Sequence, residues 1–237
     1  MKSLSSFITE SIISEKLNIS EDKFWFIHKQ ESNAGNSWNI RESKNNGATT
    51  LRSVFIHENE LNNLYRINVT NTEGEDPRAE HEIKNDKKNC YNIDEKAFES
   101  FFNQGADILS SLNQAGKELK KLAKSAEVIA AGRANQLKDV NVQGSDFVLF
   151  QAGRDSLPFI VANYDEKFTN FTGMSVEDGF GFNDSMLHFE TERNTAEVIE
   201  MQGWKIYSVD QNQAKALYKK LQDIEADFKK LFKDADK

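Results

Sequence analysis

The reading of the fold turns on residues 94–140, DEKAFESFFNQGADILSSLNQAGKELKKLAKSAEVIAAGRANQLKDV. This is the long run in which apolar residues keep returning at steps of three and four: Phe98, Phe101, Phe102, Ile108, Leu109, Leu112, Leu119 and Leu122, passing into Ala123, Ala126, Ala130 and Ala134. Such spacing gathers them on one face of a helix. A single rod of this length would run about 70 Å at 1.5 Å per residue, longer than one domain ordinarily needs. Gly105, Gly116 and Gly132 fall inside it. The pattern therefore predicts two helices folded as a hairpin, broken near Asn113 to Gly116. Asp94 stands where an N-cap belongs. Lys117, Lys120, Lys121 and Lys124 form a basic stripe against Glu118 and Glu127. That stripe could touch phosphate, an acidic partner or a membrane surface, with nucleic acid an unlikely but possible partner there, although such stripes are usually the wet face of an amphipathic helix. The Ala and Gly content up to Ala134 would let another backbone approach closely, which makes an oligomer a reasonable expectation.

On the N-terminal side of this run the texture is β-like. Phe24 to Ile27, Trp38 to Ile40, Leu51 to Ile56 and Tyr65 to Val69 are short runs separated by Asn, Gly and Ser clusters, as in an antiparallel meander. Trp25, Trp38 and Phe55 suit core packing better than a stacking platform, because large aromatics on strands usually supply buried area. Residues 71–92 are polar and read as an exposed loop or hinge. His81 sits between Glu80 and Glu82, but adjacent residues do not share a face, so these three do not make a metal site.

On the C-terminal side, Phe147 to Phe150 and Phe159 to Ala162 read as a hairpin whose loop carries Gly153 and Arg154. One Gly beside one Arg lacks the grammar of a phosphate cradle. An irregular loop anchored by Phe168, Phe171, Phe180 and Phe182 follows. Met186 to Thr191 alternates as a strand and places His188, Glu190 and Glu192 on one face, where they could act as metal ligands or acid/base groups; a polar strand face is the plainer account. Asn194 to Met201 fits a short helix, Trp204 to Val209 a strand, and Asp210 caps a last helix with Leu217, Tyr218, Leu221, Ile224, Phe228, Leu231 and Phe232 on one face. No internal repeat is visible. The expected fold is α+β, with antiparallel strand segments flanking a central long helical hairpin and an amphipathic C-terminal helix. Its segments are 1–17, 18–92, 93–140 and 141–237, and 18–237 could form one domain.

The totals narrow the function classes. A chain of 237 residues can bury a core without metal or disulfide support. Its one cysteine, Cys90, cannot form an internal bridge, which suits a reducing cytoplasm or a particle assembled there. With a net charge of −8, bulk electrostatics do not advertise nucleic-acid binding. No apolar run is long enough to cross a bilayer, so no membrane partner is expected, and no motif calls for a cofactor.

The opening residues, MKSLSSFITESIISEKL, place Leu4, Phe7, Ile8, Ile12 and Leu17 on or near one side of a short helix. The pattern Met-Lys-small-Leu followed by Phe-Ile-x-Glu resembles the leader of internal head proteins and other head-targeted proteins of T-even-like tailed bacteriophages. In that family the leader directs a protein into the assembling prohead, and a prohead protease cuts after Ile or Leu, any residue, then Glu. The resemblance covers about the first sixteen residues and implies cutting after Ile8-Thr9-Glu10, before Ser11. It departs from the pattern at Ser11, where Ala or Gly is more usual. Ile13-Ser14-Glu15, followed by Lys16, fits less well. The Glu190-x-Glu192 pair is in turn similar to that of ADP-ribosyltransferases, but no Ser-Thr-Ser strand accompanies it and Arg66 is only a nominal upstream arginine.

The resemblance implies a virion-associated structural or cargo protein of the phage head that acts by protein binding, and the lack of a complete catalytic constellation leans against an enzyme. Leu4, Phe7, Ile8 and Ile12 would dock on a capsid scaffold, and Ile8, Glu10 and Ser11 would form the processing site. Two alternatives stand beside it: a phage protein that stays in the host cytoplasm and binds a host or viral partner, and an enzyme, ADP-ribosyltransferase-like or metal-dependent, using His188, Glu190 and Glu192.

Overall fold

The computed structural model describes residues 22–33, 35–59, 63–132, 147–152, 158–164, 170–178, 184–194 and 203–236. From Phe24 the chain makes four strands, β1 (Phe24–Ser32), β2 (Gly35–Lys44), β3 (Thr49–Asn59) and β4 (Leu64–Thr70), each antiparallel to the one before. The period of two sends Ile27, Trp38, Ile40, Val54, Ile56, Tyr65 and Ile67 to one face, where they join the main core. Between β2 and β3 the chain turns through Asn45, Asn46 and Gly47 at φ of 54°, 58° and 93°, a left-handed run that Asn and Gly adopt most readily.

A two-residue strand, β5 (Gly74–Glu75), and a short helix, α1 (Pro77–Asn85), follow; then β6 (Cys90–Ile93) returns to pair with β1, and the long helix α2 (Glu95–Ser125) leads away. After the edge strand β7 (Glu127–Gly132) the same path is taken again. Strands β8 (Val148–Ala152), β9 (Phe159–Tyr164), β10 (Asn170–Asp178) and β11 (Asp184–Asn194) form a second meander, β12 (Trp204–Ser208) returns to pair with β8, and α3 (Gln211–Ala235) follows. The sheet runs β6-β1-β2-β3-β4-β11-β10-β9-β8-β12-β7, with β5 attached to β3. Because β4 and β11 pair antiparallel with Arg66 opposite Met186 at the midpoint, an approximate twofold relates the halves. The repeat lies in the path of the chain; the residue types that fill it differ, which is why it leaves no mark in the sequence.

The described fold is therefore a large antiparallel sheet carrying helices, and the predicted central helical hairpin is replaced by one continuous helix and a strand. Two physical facts account for the difference. Gly105 and Gly116 are contact points, not breaks: a Cβ at Gly105 would lie 2.9 Å from a Val54 methyl, and one at Gly116 would lie 3.5 Å from Val176. Beyond Ser125, whose hydroxyl donates to the Leu122 carbonyl at 3.0 Å, the β-branched pair Val128 and Ile129 enters a strand that pairs with β12. The segment 71–92 likewise departs from the predicted loop. Asp76 caps α1 by accepting from Ala79 N at 2.9 Å, Pro77 sits in its first turn, and Ala79 and Ile83 are buried.

Both long helices begin with the same device. Asp94 Oδ1 accepts from Ala97 N at 2.7 Å and Asp210 Oδ1 accepts from Gln213 N at 2.8 Å. They lie side by side on one face of the sheet and run in opposite directions. The start of α2 places Phe98 and Phe102 against Arg52 of β3, while its end meets the start of α3 where Glu118 accepts from Lys220 at 3.0 Å. At the far end of α3, Phe232 stacks on Trp38 at 5.3 Å. Each fully buried aliphatic or aromatic side chain there is worth about 1.5–3 kcal/mol. No described helix is long and apolar enough to cross a membrane.

The two helical glycines yield opposite expectations. Gly116→Ala should stabilise the protein by about 0.5–1 kcal/mol, since alanine favours the helix and its Cβ would sit at ordinary contact distance. Gly105→Ala should lose that gain against Val54. Denaturant unfolding of the two variants checks this, and destabilisation by Gly116→Ala would contradict a continuous helix.

Candidate functional site

Of the residues singled out from the sequence, Leu4, Phe7, Ile8, Glu10, Ser11 and Ile12 lie outside the described residues, as do Gly153, Arg154 and the helix expected over 195–201. Trp25 and Trp38 pack on the helix-bearing face, whereas Phe55 lies on the outer face beside His57 and Arg66, so the three form no platform. His188 does leave the core on the opposite side from Leu187. Its Nε2 lies 2.8 Å from Glu177 Oε2 of the neighbouring strand, without hydrogen-bond alignment. Glu190 and Glu192 are on the same strand, β11, but their side chains are outside the described part. Among the described residues no group of three or more His, Cys, Asp or Glu side chains is placed to hold a metal ion.

The densest set of titratable groups is one the sequence reading missed. On the outer face, α1 is fastened to β1 and β2 by buried charge. Arg41 donates to Glu82, its Nε lies 3.2 Å from Asp76, and Thr50 donates to Asp76 at 2.7 Å. His28 Nε2 is 2.9 Å from Asp86, and its Nδ1 lies 3.3 Å from Glu82 without hydrogen-bond alignment. Burial works against the charged form of both His28 and Glu82, and the contacts outweigh it. Glu82 and Asp86 raise the His28 pKa above 6.5, while His28 and Arg41 hold the Glu82 carboxyl down to about 2. Cys90 lies alongside, with Phe24, Phe26, Ala79 and Ile83. Burial, with the charges of Glu82 and Asp86, pushes its thiol up to about 12, so it is no nucleophile at neutral pH. These groups neutralise one another under a helix, which is the arrangement of a structural clamp.

The surface best suited to a partner lies on the helix layer. The 3.6-residue period sets Lys117, Lys121 and Lys124 in one line on the side of α2 away from buried Leu112, Leu119 and Leu122. The antiparallel packing brings the first turns of α3 beside them, adding Lys215, Lys219 and Lys220. A shallow groove of about 370 Å³ runs between the helices, lined by Glu118, Lys121, Gln213 and Lys220 among others. Lys220 is paired with Glu118 and Lys219 with Asp223, whereas Lys117, Lys121, Lys124 and Lys215 are exposed and have no ion pair to a described residue. Like charges at i and i+4 each cost a helix about 0.2–0.5 kcal/mol. The sequence shows the stripe on α2; its extension onto α3 depends on which helix ends meet, which no local pattern encodes.

The clamp gives a pH expectation. His28 contributes its full stabilisation below its unfolded value near 6.5 and loses it as pH rises through the raised folded value, whereas Glu82 contributes fully above 4.5 and loses it as pH falls through about 2. The attachment of α1 should thus be strongest between about pH 4.5 and 6.5. In thermal melts, the deficit of His28→Gln relative to the wild type should shrink as pH is raised from 6 to 9; a deficit constant with pH would contradict the charged pairing.

Set against known proteins, the chain matches no family model, no curated protein sequence and no solved structure.

Proposed function

We propose that this chain is a virion-associated structural or cargo protein of a tailed bacteriophage head, brought into the assembling particle by its first residues and acting there by binding. The observation that carries this reading is the run Phe7-Ile8-Thr9-Glu10-Ser11, with its resemblance to a head-targeting leader, set ahead of a body whose described elements begin at Phe24. A cut after Glu10 would leave every described strand and helix intact. Two further features support a binding role. The described buried charges are paired in structural contacts, His28, Arg41 and Glu82 holding α1 to the sheet, Asp184 accepting from Arg66 and Glu42 from Arg52, and the helix layer offers exposed charge. For the enzyme alternative, the one described side chain of its cluster, His188, lies beside Glu177 and belongs to no described group placed to hold a metal ion.

The test is mass spectrometry of purified particles. The expected result is a packaged chain beginning at Ser11, and Glu10→Ala should leave the packaged protein uncut while the body still folds. Particles devoid of the protein, with the chain confined to the lysate, would overturn the proposal in favour of a binding protein of the infected cell.

A further inference from the structure

We infer that the end of the helix layer where α2 finishes and α3 begins is a binding surface for the phosphate backbone of double-stranded DNA. The inference rests on charge and geometry alone and stands whether or not the leader is functional. Seven lysines lie on the two helix ends that adjoin there, Lys117, Lys120, Lys121 and Lys124 on α2 and Lys215, Lys219 and Lys220 on α3, with Lys121 and Lys220 lining the same groove; the acids on these ends are Glu118 and Asp223, with Glu127 and Asp210 at the margin. The whole chain carries −8, so the excess of cations at this end is a local reversal of sign. At about 0.1 M salt charges more than about 10 Å apart are largely screened. A duplex on this surface therefore responds to the lysines under it more than to the acidic surplus elsewhere.

The dimensions agree. Lys117 to Lys124 spans about 10 Å along α2, and two packed helices add a width of about 8–10 Å. A duplex presents one phosphate charge per roughly 1.7 Å of its axis, about six in that length. The groove also exposes none of the large apolar residues that an acidic protein partner would need. Protein interfaces draw their affinity from aromatic and large apolar anchors, and the leucines that line the groove, Leu122 and Leu217, are buried, which leaves Gln213 and Ala216 exposed beside the lysines. Of the exposed large apolar residues described, Tyr91 lies on β6 at the far edge of the sheet, while Val128 and Ile129 lie on β7, just beyond the end of α2 and outside the groove. Lysines present point charges and no bidentate fork, which suits contact with backbone phosphates and no reading of bases.

Fluorescence anisotropy of a labelled 30-bp duplex of arbitrary sequence, titrated with the full chain, tests this. Binding is expected at 50 mM salt, and four lysine contacts should weaken it on the order of 100-fold by 200 mM. The variant K117E/K121E/K124E/K215E should lose at least ten-fold at fixed salt while melting like the wild type, since all four positions are exposed. A variant with K229E/K230E/K233E, at the opposite end of α3, should stay within about three-fold. If the quadruple variant fails to fold, K121E/K215E carries the same comparison. Absence of binding at 50 mM salt would overturn the inference, as would equal losses in the two variants. Equal affinity for a polyglutamate chain of matched charge would also overturn it, and would point to an acidic protein.

Discussion

Five residue pairs, from Asn68 opposite Asp184 to Leu64 opposite His188, hold the two half-sheets of this protein together. At about 1 kcal/mol net for each hydrogen bond, so short a seam would be a weak joint, and both of its faces are reinforced. On the helix face Tyr65 meets Phe189, Phe228 and Phe232 at 4.6, 5.5 and 5.1 Å between ring centroids. On the outer face Arg66 donates from Nε and Nη2 to both oxygens of the Asp184 carboxylate, which is 2% exposed, and the guanidinium lies 5.8 Å from the Phe55 ring. The long helices then serve as braces. Over its length α2 touches Val54 and Val69 on one side of the seam and Val176 on the other. That bridging role explains glycine inside a helix: the rod must lie close to the sheet at both ends of its crossing, and at Gly105 even a methyl group crowds Val54.

This dependence on the seam also explains which parts of the structure could be read from residues alone. The caps Asp94 and Asp210, and the apolar face from Leu217 to Phe232, are local signals, and the helices begin where those signals place them. The continuation of α2 through Gly105 and Gly116 was illegible, because what offsets a glycine's helix cost of about 1 kcal/mol is a surface contributed by β3, β4 and β10. Residues 126–132 misled for a related reason. Alanine at helical spacing says nothing of the unsatisfied edge of β12, and that edge, with Val128 and Ile129, draws the segment into a strand. α1 escaped notice because a nine-residue helix anchored by Ala79 and Ile83 falls below any periodicity, and its real fastening is the long-range pairing of Glu82 with Arg41 and His28. For the candidate site, the four lysines on α2 were visible, and the three on α3 required knowledge that the two helices run antiparallel.

Charge is used in two ways in this molecule, and burial separates them. Where ions are buried, as at Arg41, Glu82 and His28, opposite charges are brought into contact, because an uncompensated buried charge would cost several kcal/mol. Removing one member would therefore be felt as lost stability. Where ions are exposed on the helix layer, Lys117, Lys121, Lys124 and Lys215 stand near one another, and solvent meets most of the cost. Stability alone gives no reason to gather them.

The approximate twofold sharpens that last point. It exchanges α2 with α3, and so exchanges the two ends of the helix layer. If charge simply followed architecture, both ends would carry the same sign. At one end seven lysines face Glu118, Asp223, Glu127 and Asp210; at the other, Lys96, Lys229, Lys230 and Lys233, with Arg52 and Lys29 of the sheet, face Glu95, Glu99, Asp107, Glu225, Asp227, Asp234 and Asp236. The capping aspartates, the meanders and the returning strands obey the repeat because the fold requires them in both halves. The sign of the helix surface does not obey it: at the far end Glu99 and Asp236 answer Arg52 and Lys29 of the sheet, whereas Lys117, Lys121, Lys124 and Lys215 answer no described acid. A difference that the fold does not demand, on a surface the fold leaves exposed, is the place in this chain where a requirement other than stability is most plainly written.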